Sequence, residues 1–241
     1  MSNSRNPRLA AVGITFSLAA LIVSLPLVAG ASVGNPATAT VLKAAKAALA
    51  KQTGAHIVFT SQTSTKANTI VVDIGKKNST EVVIQGKARV TIIVTPKAAY
   101  LAGNSLGLVN LMGLTKAQIK LVGTKSIVVK VGSSQYSSLH SNLSTSVFTA
   151  LLPSVKGTTY SLASDGSKNY SLRWTAPASS TAAKSTTVLI ISSGNLALPI
   201  SEAMSSATGS GTTTFSKWGE NRAVSIPAKS STIPYTTVFA G

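Results

Sequence analysis

Short segments in which apolar and polar residues alternate fill most of this chain, and the turns between them lie close together. A period of two is typical of a β-strand with one buried face. Parallel strands need a crossover of a dozen or more residues, usually a helix, and most of these segments leave no room for one. The pattern therefore predicts an antiparallel meander. Its strands are expected at residues 56–62, 69–74, 81–85, 88–95, 98–101, 126–131, 158–163, 170–175, 186–192, 197–202, 212–218 and 222–226.

Three segments have helical spacing instead. Residues 41–52 place apolar side chains on one face and lysines on the other, and Gly54 stands where a C-cap glycine belongs. Two short helical pieces are expected within residues 104–124. An amphipathic helix is expected over residues 143–152, and Pro153 would end it.

A sheet of this many antiparallel strands twists and curls rather than staying flat. Three short helices are too few to form a separate layer, so we expect them inside the curl. The sequence thus predicts an α+β fold that is mainly antiparallel β, with a curled half-barrel sheet and short helices packed on its concave face. Because no linker, charge run or repeat divides it, residues 32–241 are expected to form one domain.

A curled sheet that is only partly filled by helices often leaves an apolar cavity. The side chains that would line it are apolar residues of the second and third helical segments. These candidate wall residues are Leu106, Val109, Met112, Val147, Phe148 and Leu151.

The first 31 residues have the pattern of a secretory signal peptide. Arg5 and Arg8 precede an apolar stretch over residues 9–28, and small residues at 29–31 suit a cleavage site before Ser32. An uncleaved membrane anchor is the alternative, and either places the domain outside the cytoplasm. The chain has no cysteine, which excludes disulfides, thiolate zinc sites and a cysteine nucleophile.

The chain is strongly basic, with a formal charge of +17, and loss of the two leading arginines would lower it to +15. Nucleic-acid binding is disfavoured because the lysines are scattered and only 5% of residues are aromatic. Attraction to an anionic cell surface or to lipid headgroups is one explanation. Tolerance of acid is another, since few carboxylates are available to protonate. The sequence does not separate these two.

The sequence Gly103-Asn104-Ser105-Leu106-Gly107 matches the G-x-S-x-G nucleophile elbow of serine hydrolases. That hydrolase fold needs an acid and then a histidine after the serine. No acid lies between Ser105 and His140, and no histidine follows His140. A glycine-rich turn between a strand and a helix is the favoured interpretation.

The remaining polar residues offer little for catalysis or metal binding. Asp73 and Glu81 could face each other across a hairpin, although pairing with nearby lysines is favoured for both. His56 and His140 have no partner at helical spacing, so they are expected to be surface or half-buried residues and no metal or cofactor is predicted. Trp174 and Trp218 could stack on a sugar or headgroup, but packing in the core or at its rim is favoured.

Five segments of the chain are the leading helix at 41–52, Ala-Tyr-Leu-Ala-Gly-Asn at 99–104, Leu-Ala-Leu-Pro-Ile at 196–200, Thr-Thr-Thr-Phe-Ser-Lys-Trp-Gly at 212–219 and Val-Ser-Ile-Pro at 224–227. In this order and spacing they resemble the mycobacterial lipoprotein family of the LppX–LprG type, within the LolA-like half-barrel group. The resemblance implies a cavity that binds acylated lipids or glycolipids and moves them through the cell envelope. Ala31 stands where that family's lipobox cysteine would be, so a thioether lipid anchor is excluded.

The function expected from these observations is that of an exported, non-enzymatic lipid or glycolipid carrier, a monomer whose partners are its lipid and an anionic membrane or envelope surface. Two alternatives stay open. One is a structural or adhesive surface protein with a fully packed core. The other is a hydrolase that uses Ser105.

Overall fold

The computed structural model describes residues 36–63, 66–153, 161–164, 169–176 and 184–239. The predicted signal segment therefore lies outside the described residues. Within them, every helix is too short or too polar to cross a bilayer.

Twelve strands and five α-helices make up the described part of the chain, together with two short 3₁₀-helices. The first half contains α1 (Pro36–Leu49), β1 (Ala55–Thr63), β2 (Ala67–Ile74), β3 (Ser79–Gln85), β4 (Ala88–Val94), β5 (Ala98–Gly103), α2 (Ser105–Asn110), α3 (Lys116–Val122), β6 (Ser126–Lys130), α4 (Ser134–Asn142) and a 3₁₀-helix at Thr145–Leu151. The second half contains β7 (Ser161–Ser164), β8 (Tyr170–Ala176), β9 (Ser185–Ile191), β10 (Pro199–Ser206), β11 (Gly209–Ser216), a 3₁₀-turn at Lys229–Ser231, β12 (Thr232–Pro234) and α5 (Tyr235–Val238).

All twelve strands form one sheet in the order β12-β6-β5-β4-β3-β2-β1-β11-β10-β9-β8-β7. Strands β1 to β6 form one meander and β7 to β11 a second, and the pairing of β1 with β11 joins them. In the described residues the edge strands β12 and β7 do not pair with each other, so the sheet is open. The predicted α+β half-barrel, mainly antiparallel and carrying short helices, is confirmed.

One face of the sheet carries the core, and we call it the interior face. The burial of successive residues alternates along β1 and β4, as a sheet with one buried face requires. Helix α4 packs on β5 and β6, and the 3₁₀-helix at Thr145–Leu151 contacts both α4 and α1. Helix α1 in turn contacts β7. These helices therefore bridge the sheet from one arm to the other.

Local signals in the sequence explain where α2 and α3 begin and end. The Asn104 side chain caps α2 by accepting the Gly107 N–H at 2.7 Å. Thr115 and Gln118 form a capping box at the start of α3. Gly123, with a φ of 55°, follows the end of α3. Gln118 also donates to the Val238 carbonyl at 3.0 Å and so ties α3 to α5.

The structure differs from the sequence-based expectations in several respects. Residues 222–226 form no strand, because the chain after β11 crosses back over the β2–β3 turn, where the Asn221 side chain accepts the Lys76 N–H. The short strand β12 pairs with β6 in parallel, an exception to the antiparallel pattern at the sheet edge. Helix α4 was not expected, and the third helical segment is a 3₁₀-helix.

Gly54 does not cap α1, which ends five residues earlier. A glycine is needed at position 54 for another reason. A Cβ atom at this position would lie 2.0 Å from the Glu220 carbonyl oxygen and 2.8 Å from that of Ile74. The Gly219 N–H also donates to the Gly54 carbonyl at 2.7 Å. Gly54 therefore allows the chain after β11 to pack closely against the start of β1.

Candidate functional site

A row of eight buried residues in direct register crosses the interior face from β12 to β11, and we call it the core row. Seven members are apolar, and the eighth, Glu81 of β3, lies between Ile92 of β4 and Val72 of β2. This face therefore excludes water across eight neighbouring strands. The full row is Ile233, Ile127, Leu101, Ile92, Glu81, Val72, Ile57 and Phe215.

Glu81 is the unusual member of the core row. It is 2% exposed, and its Oε1 atom is buried without a hydrogen-bond partner in the described residues. Burial raises the pKa of Glu81 to about 8, because the carboxylate would lose its hydration without gaining a partner. At neutral pH the side chain is therefore mainly a neutral carboxylic acid, which can both donate and accept a hydrogen bond.

A second carboxyl group lies on the other arm of the interior face. Glu202 of β10 is half-buried and faces Leu189 of β9 and Thr213 of β11 in direct register. Burial raises the pKa of Glu202 to about 7. The interior face is thus apolar with two carboxyl groups, one on each side of the β1–β11 junction.

The structure separates the predicted wall residues into two groups. Met112, Val147, Phe148 and Leu151 are buried in the core. Leu106 and Val109 instead lie on the outer side of α2 and are 48% and 42% exposed. The helical spacing that grouped Leu106 and Val109 with Met112 does not hold, because α2 ends at Asn110 and Met112 lies in the turn that follows.

An aromatic cluster fixes the 3₁₀-helix over the interior face. The Phe148 ring packs edge-on against the Trp218 ring, with the ring centroids 5.2 Å apart. The Trp218 ring stacks on the Phe215 ring at a centroid distance of 6.0 Å. The Trp218 Nε1–H donates to the Pro199 carbonyl at 3.0 Å. The favoured interpretation of the tryptophans is confirmed for Trp218, which packs against the core, and for Trp174, which is buried on β8.

A small ionic cluster lies on the opposite face of the sheet. Asp73 Oδ1 accepts a hydrogen bond from Arg222 Nη1 at 2.7 Å and is 2.7 Å from the His56 Nδ1 atom. Burial alone would raise the pKa of Asp73, but the hydrogen bonds and charges of Arg222 and His56 outweigh burial and lower it.

The expected neighbourhood of Asp73 and Glu81 is wrong. Asp73 is paired with Thr80, whereas Glu81 is paired with Val72. Successive residues of a strand point to opposite faces, so the two carboxyl groups lie on opposite sides of the sheet. Neither forms an ion pair with a lysine in the described residues, because Asp73 binds Arg222 and Glu81 is enclosed in the core.

The G-x-S-x-G segment has a structural explanation. A Cβ atom at Gly107 would lie 2.1 Å from the Arg89 carbonyl oxygen, and one at Gly103 would lie 2.7 Å from the same atom. Asn104 accepts the Arg89 N–H and donates to the Lys87 carbonyl. The motif therefore anchors the start of α2 to the β3–β4 turn. Ser105 is exposed, and no histidine hydrogen-bonds to it in the described residues.

Two further features lie on the surface of the described structure. His140 is exposed on α4 and stacks on Tyr136. The described ranges contain no cluster of His, Asp and Glu that could hold a metal ion. An open groove of about 560 Å³ lies at the β10–β11 turn, and its lining is mostly polar: Gln62, Ser205, Ser206, Ala207, Thr208, Gly209 and Ser210.

Helices α2 and α3 contact each other and carry exposed apolar residues beside lysines, a surface that we call the α2–α3 surface. Its exposed apolar members are Leu106 and Val109 of α2 and Leu121 of α3. Lys116 and Lys120 are exposed on α3. Apolar side chains beside cations are typical of surfaces that contact anionic membranes.

Comparison with known proteins gives structural likeness alone. No protein-family model matches the chain, and no curated protein matches it. Among solved structures, the chain is similar to lipoprotein LppX of Mycobacterium tuberculosis, with 16% identity over 79% of this chain and 100% of that chain at a TM-score of 0.49. It is also similar to LprF of Mycobacterium bovis, with 16% identity over 80% of this chain and 98% of that chain at a TM-score of 0.48. A DUF1329 family protein of Desulfovibrio piger matches with 9% identity over 78% of this chain and 94% of that chain at a TM-score of 0.30.

Proposed function

We propose that this protein is an exported, non-enzymatic carrier that buries the acyl chains of a lipid or glycolipid against its interior face. The observation that carries this proposal is the core row, an apolar band across eight neighbouring strands of an open sheet that short helices cover. In this proposal the short helices that cover the interior face would shift to make room for the lipid, while the strand pairing stays intact. The sequence motifs of the LppX–LprG type support the same function.

Burial of methylene groups supplies the binding free energy. Each methylene moved out of water contributes about 0.8 kcal/mol, so an acyl chain of about a dozen carbons gains several kcal/mol after ordering losses. An acyl chain offers no polar handle, and the apolar members of the core row suit it. We assign the cavity wall to the buried candidates Met112, Val147, Phe148 and Leu151, which belong to the segments that cover the interior face.

The α2–α3 surface is the part of the protein that we assign to contact with an anionic membrane or envelope surface. The exposed side chains of Leu106, Val109 and Leu121 would enter the headgroup region, and the neighbouring lysines would face lipid phosphates. A carrier needs such a contact because its cargo has to leave one bilayer and enter another.

The absence of catalysis is supported by the surroundings of Ser105 and by the two carboxyl groups of the interior face. Ser105 lacks a histidine base in the described residues, and its motif is explained by close backbone packing. Glu81 and Glu202 belong to different arms of the sheet and are separated by β2, β1 and β11.

Native mass spectrometry of the purified protein, followed by solvent extraction, tests the proposal. We expect about one lipid per chain, absent from an unrelated protein purified from the same cells. Protein that carries no lipid and takes up none from added vesicles would contradict the proposal and favour a structural or adhesive protein with a fully packed interior.

A further inference from the structure

Glu81 occupies a buried position in which its carboxyl group has no structural role in the described fold. It lies in the middle of the core row, flanked in register by Ile92 and Val72. Its neighbours on the same face of β3 are Ser79 and Val83. The Ser79 hydroxyl already accepts the Gly75 N–H. The side chain of Glu81 therefore ties no element of the described fold to another.

A buried polar atom without a partner destabilises a folded protein, and native structures contain few of them. An aliphatic residue at this position would continue the core row between Val72 and Ile92 and remove that penalty. The unpaired Oε1 of Glu81 thus indicates a partner that arrives with the cargo.

We propose that Glu81 forms a hydrogen bond with a hydroxyl group of the bound lipid, so that the cargo is an acyl lipid with a hydroxyl near its buried portion. This inference rests on the proposed carrier function. A hydroxyl group both donates and accepts, as a neutral carboxyl group does, so the two can satisfy each other in an apolar setting. The raised pKa of Glu81 supports a neutral partner, because an ammonium group would require the carboxylate.

The experiment compares dodecanol with dodecane, two probes that share one chain length and differ in a hydroxyl group. Both are delivered from cyclodextrin to the full chain, and the bound fraction is measured by gas chromatography. The variants are Glu81→Leu and Glu81→Gln, and Glu220→Leu is the matched control because Glu220 is exposed on the loop after β11. Thermal unfolding verifies that each variant is folded.

We expect Glu81→Leu to bind dodecanol about tenfold more weakly relative to dodecane than the wild type does. Glu81→Gln retains most of the preference, because an amide also donates and accepts, and Glu220→Leu retains all of it. In difference infrared spectra, the carbonyl band of the protonated Glu81 carboxyl group should shift when dodecanol binds, and Glu81→Gln should lack this shift.

Four results would overturn the inference. An unchanged dodecanol preference in Glu81→Leu shows that Glu81 does not contact the hydroxyl group. Tighter binding of dodecylamine than of dodecanol to the wild type shows that the partner is a cation. Failure of the wild type to bind either neutral probe removes the carrier function itself and this inference with it, whereas binding without discrimination removes this inference alone.

Discussion

Glu81 lies directly opposite Ile92 across the β3–β4 pairing, and both side chains lie on the buried face of the sheet. A carboxyl group in this position cannot be ionised without a large loss of hydration. The relationship gives the protein a core row that is apolar except at one central point. It also makes the stability of the fold depend on the protonation of that point.

The first prediction concerns pH. Burial raises the pKa of Glu81 from 4.5 in the unfolded chain to about 8 in the folded protein. The stability associated with the protonated group is complete below the unfolded pKa, and it is lost as the pH rises through about 8. Between the unfolded and the folded pKa, each buried carboxyl group of this kind lowers the free energy of unfolding by up to about 1.4 kcal/mol per pH unit. Glu202 adds the same trend up to about pH 7.

Urea unfolding between about pH 5 and about pH 8 checks this dependence. We expect wild-type stability to fall over the range and the slope to be shallower in Glu81→Leu. A wild-type stability that does not change, or an equal slope in the variant, would contradict the burial of an ionisable Glu81. Asp73 does not interfere, since the hydrogen bonds and charges of Arg222 and His56 lower its pKa, away from this pH range.

The second prediction concerns the ionic cluster of Asp73, Arg222 and His56. Because the pKa of Asp73 is lowered in the folded protein, its contribution is present above its unfolded pKa and is lost as the pH falls through the folded value. Asp73→Asn should therefore lower the unfolding temperature modestly at neutral pH. In strong acid the variant and the wild type should unfold at the same temperature. High salt should shrink the effect, because the cluster is partly exposed. An effect that is the same at neutral and strongly acid pH would contradict this account.

The third prediction separates the two interpretations of the G-x-S-x-G segment. Gly107→Ala places a methyl group against the Arg89 carbonyl and should lower the free energy of unfolding by about 2 kcal/mol or more. Ser105→Ala removes an exposed hydroxyl group and should change it by less than about 0.5 kcal/mol. Chemical denaturation measures both. An ester-hydrolase activity that disappears in Ser105→Ala would show that the motif is catalytic.

The fourth prediction tests the cavity wall. Leu151→Trp introduces a large ring at a buried position of the 3₁₀-helix and should block uptake of a fluorescent fatty acid. Val109→Trp makes the same kind of change at an exposed position of α2 and should leave uptake nearly unchanged. Circular dichroism shows whether both variants are folded. Normal uptake by folded Leu151→Trp would remove Leu151 from the wall.

The fifth prediction tests the α2–α3 surface. Lys116→Glu with Lys120→Glu should weaken binding to anionic phosphatidylglycerol vesicles by about tenfold or more, since each surface lysine contributes about 1 kcal/mol. Lys43→Glu with Lys46→Glu changes the net charge equally on α1, and its effect should be smaller. Vesicle sedimentation measures both. Equal losses would indicate that net charge alone, and not this surface, attracts the membrane.

The strand pattern could be predicted from the sequence because alternation is a local property. Residues 69–74 place Ile70, Val72 and Ile74 on one face, and all three are buried as expected. The caps of α2 and α3 are equally local, since Asn104 and Thr115 act within three residues. In contrast, residues 222–226 alternate like a strand but pair with no strand, because Asn221 binds Lys76 in the β2–β3 turn and Arg222 binds Asp73 of β2.

The sequence by itself determined that this chain builds an open antiparallel sheet with short helices, because periodicity and turn residues act between near neighbours. It did not determine which face of β3 is buried, since Val82 and Val83 offer apolar residues to both faces. Pairing with Val72 and Ile92 decided that, and it brought Glu81 into the core. Long-range register sets the face of every residue on a strand, so only the tertiary structure could reveal the polar point at the centre of the apolar interior.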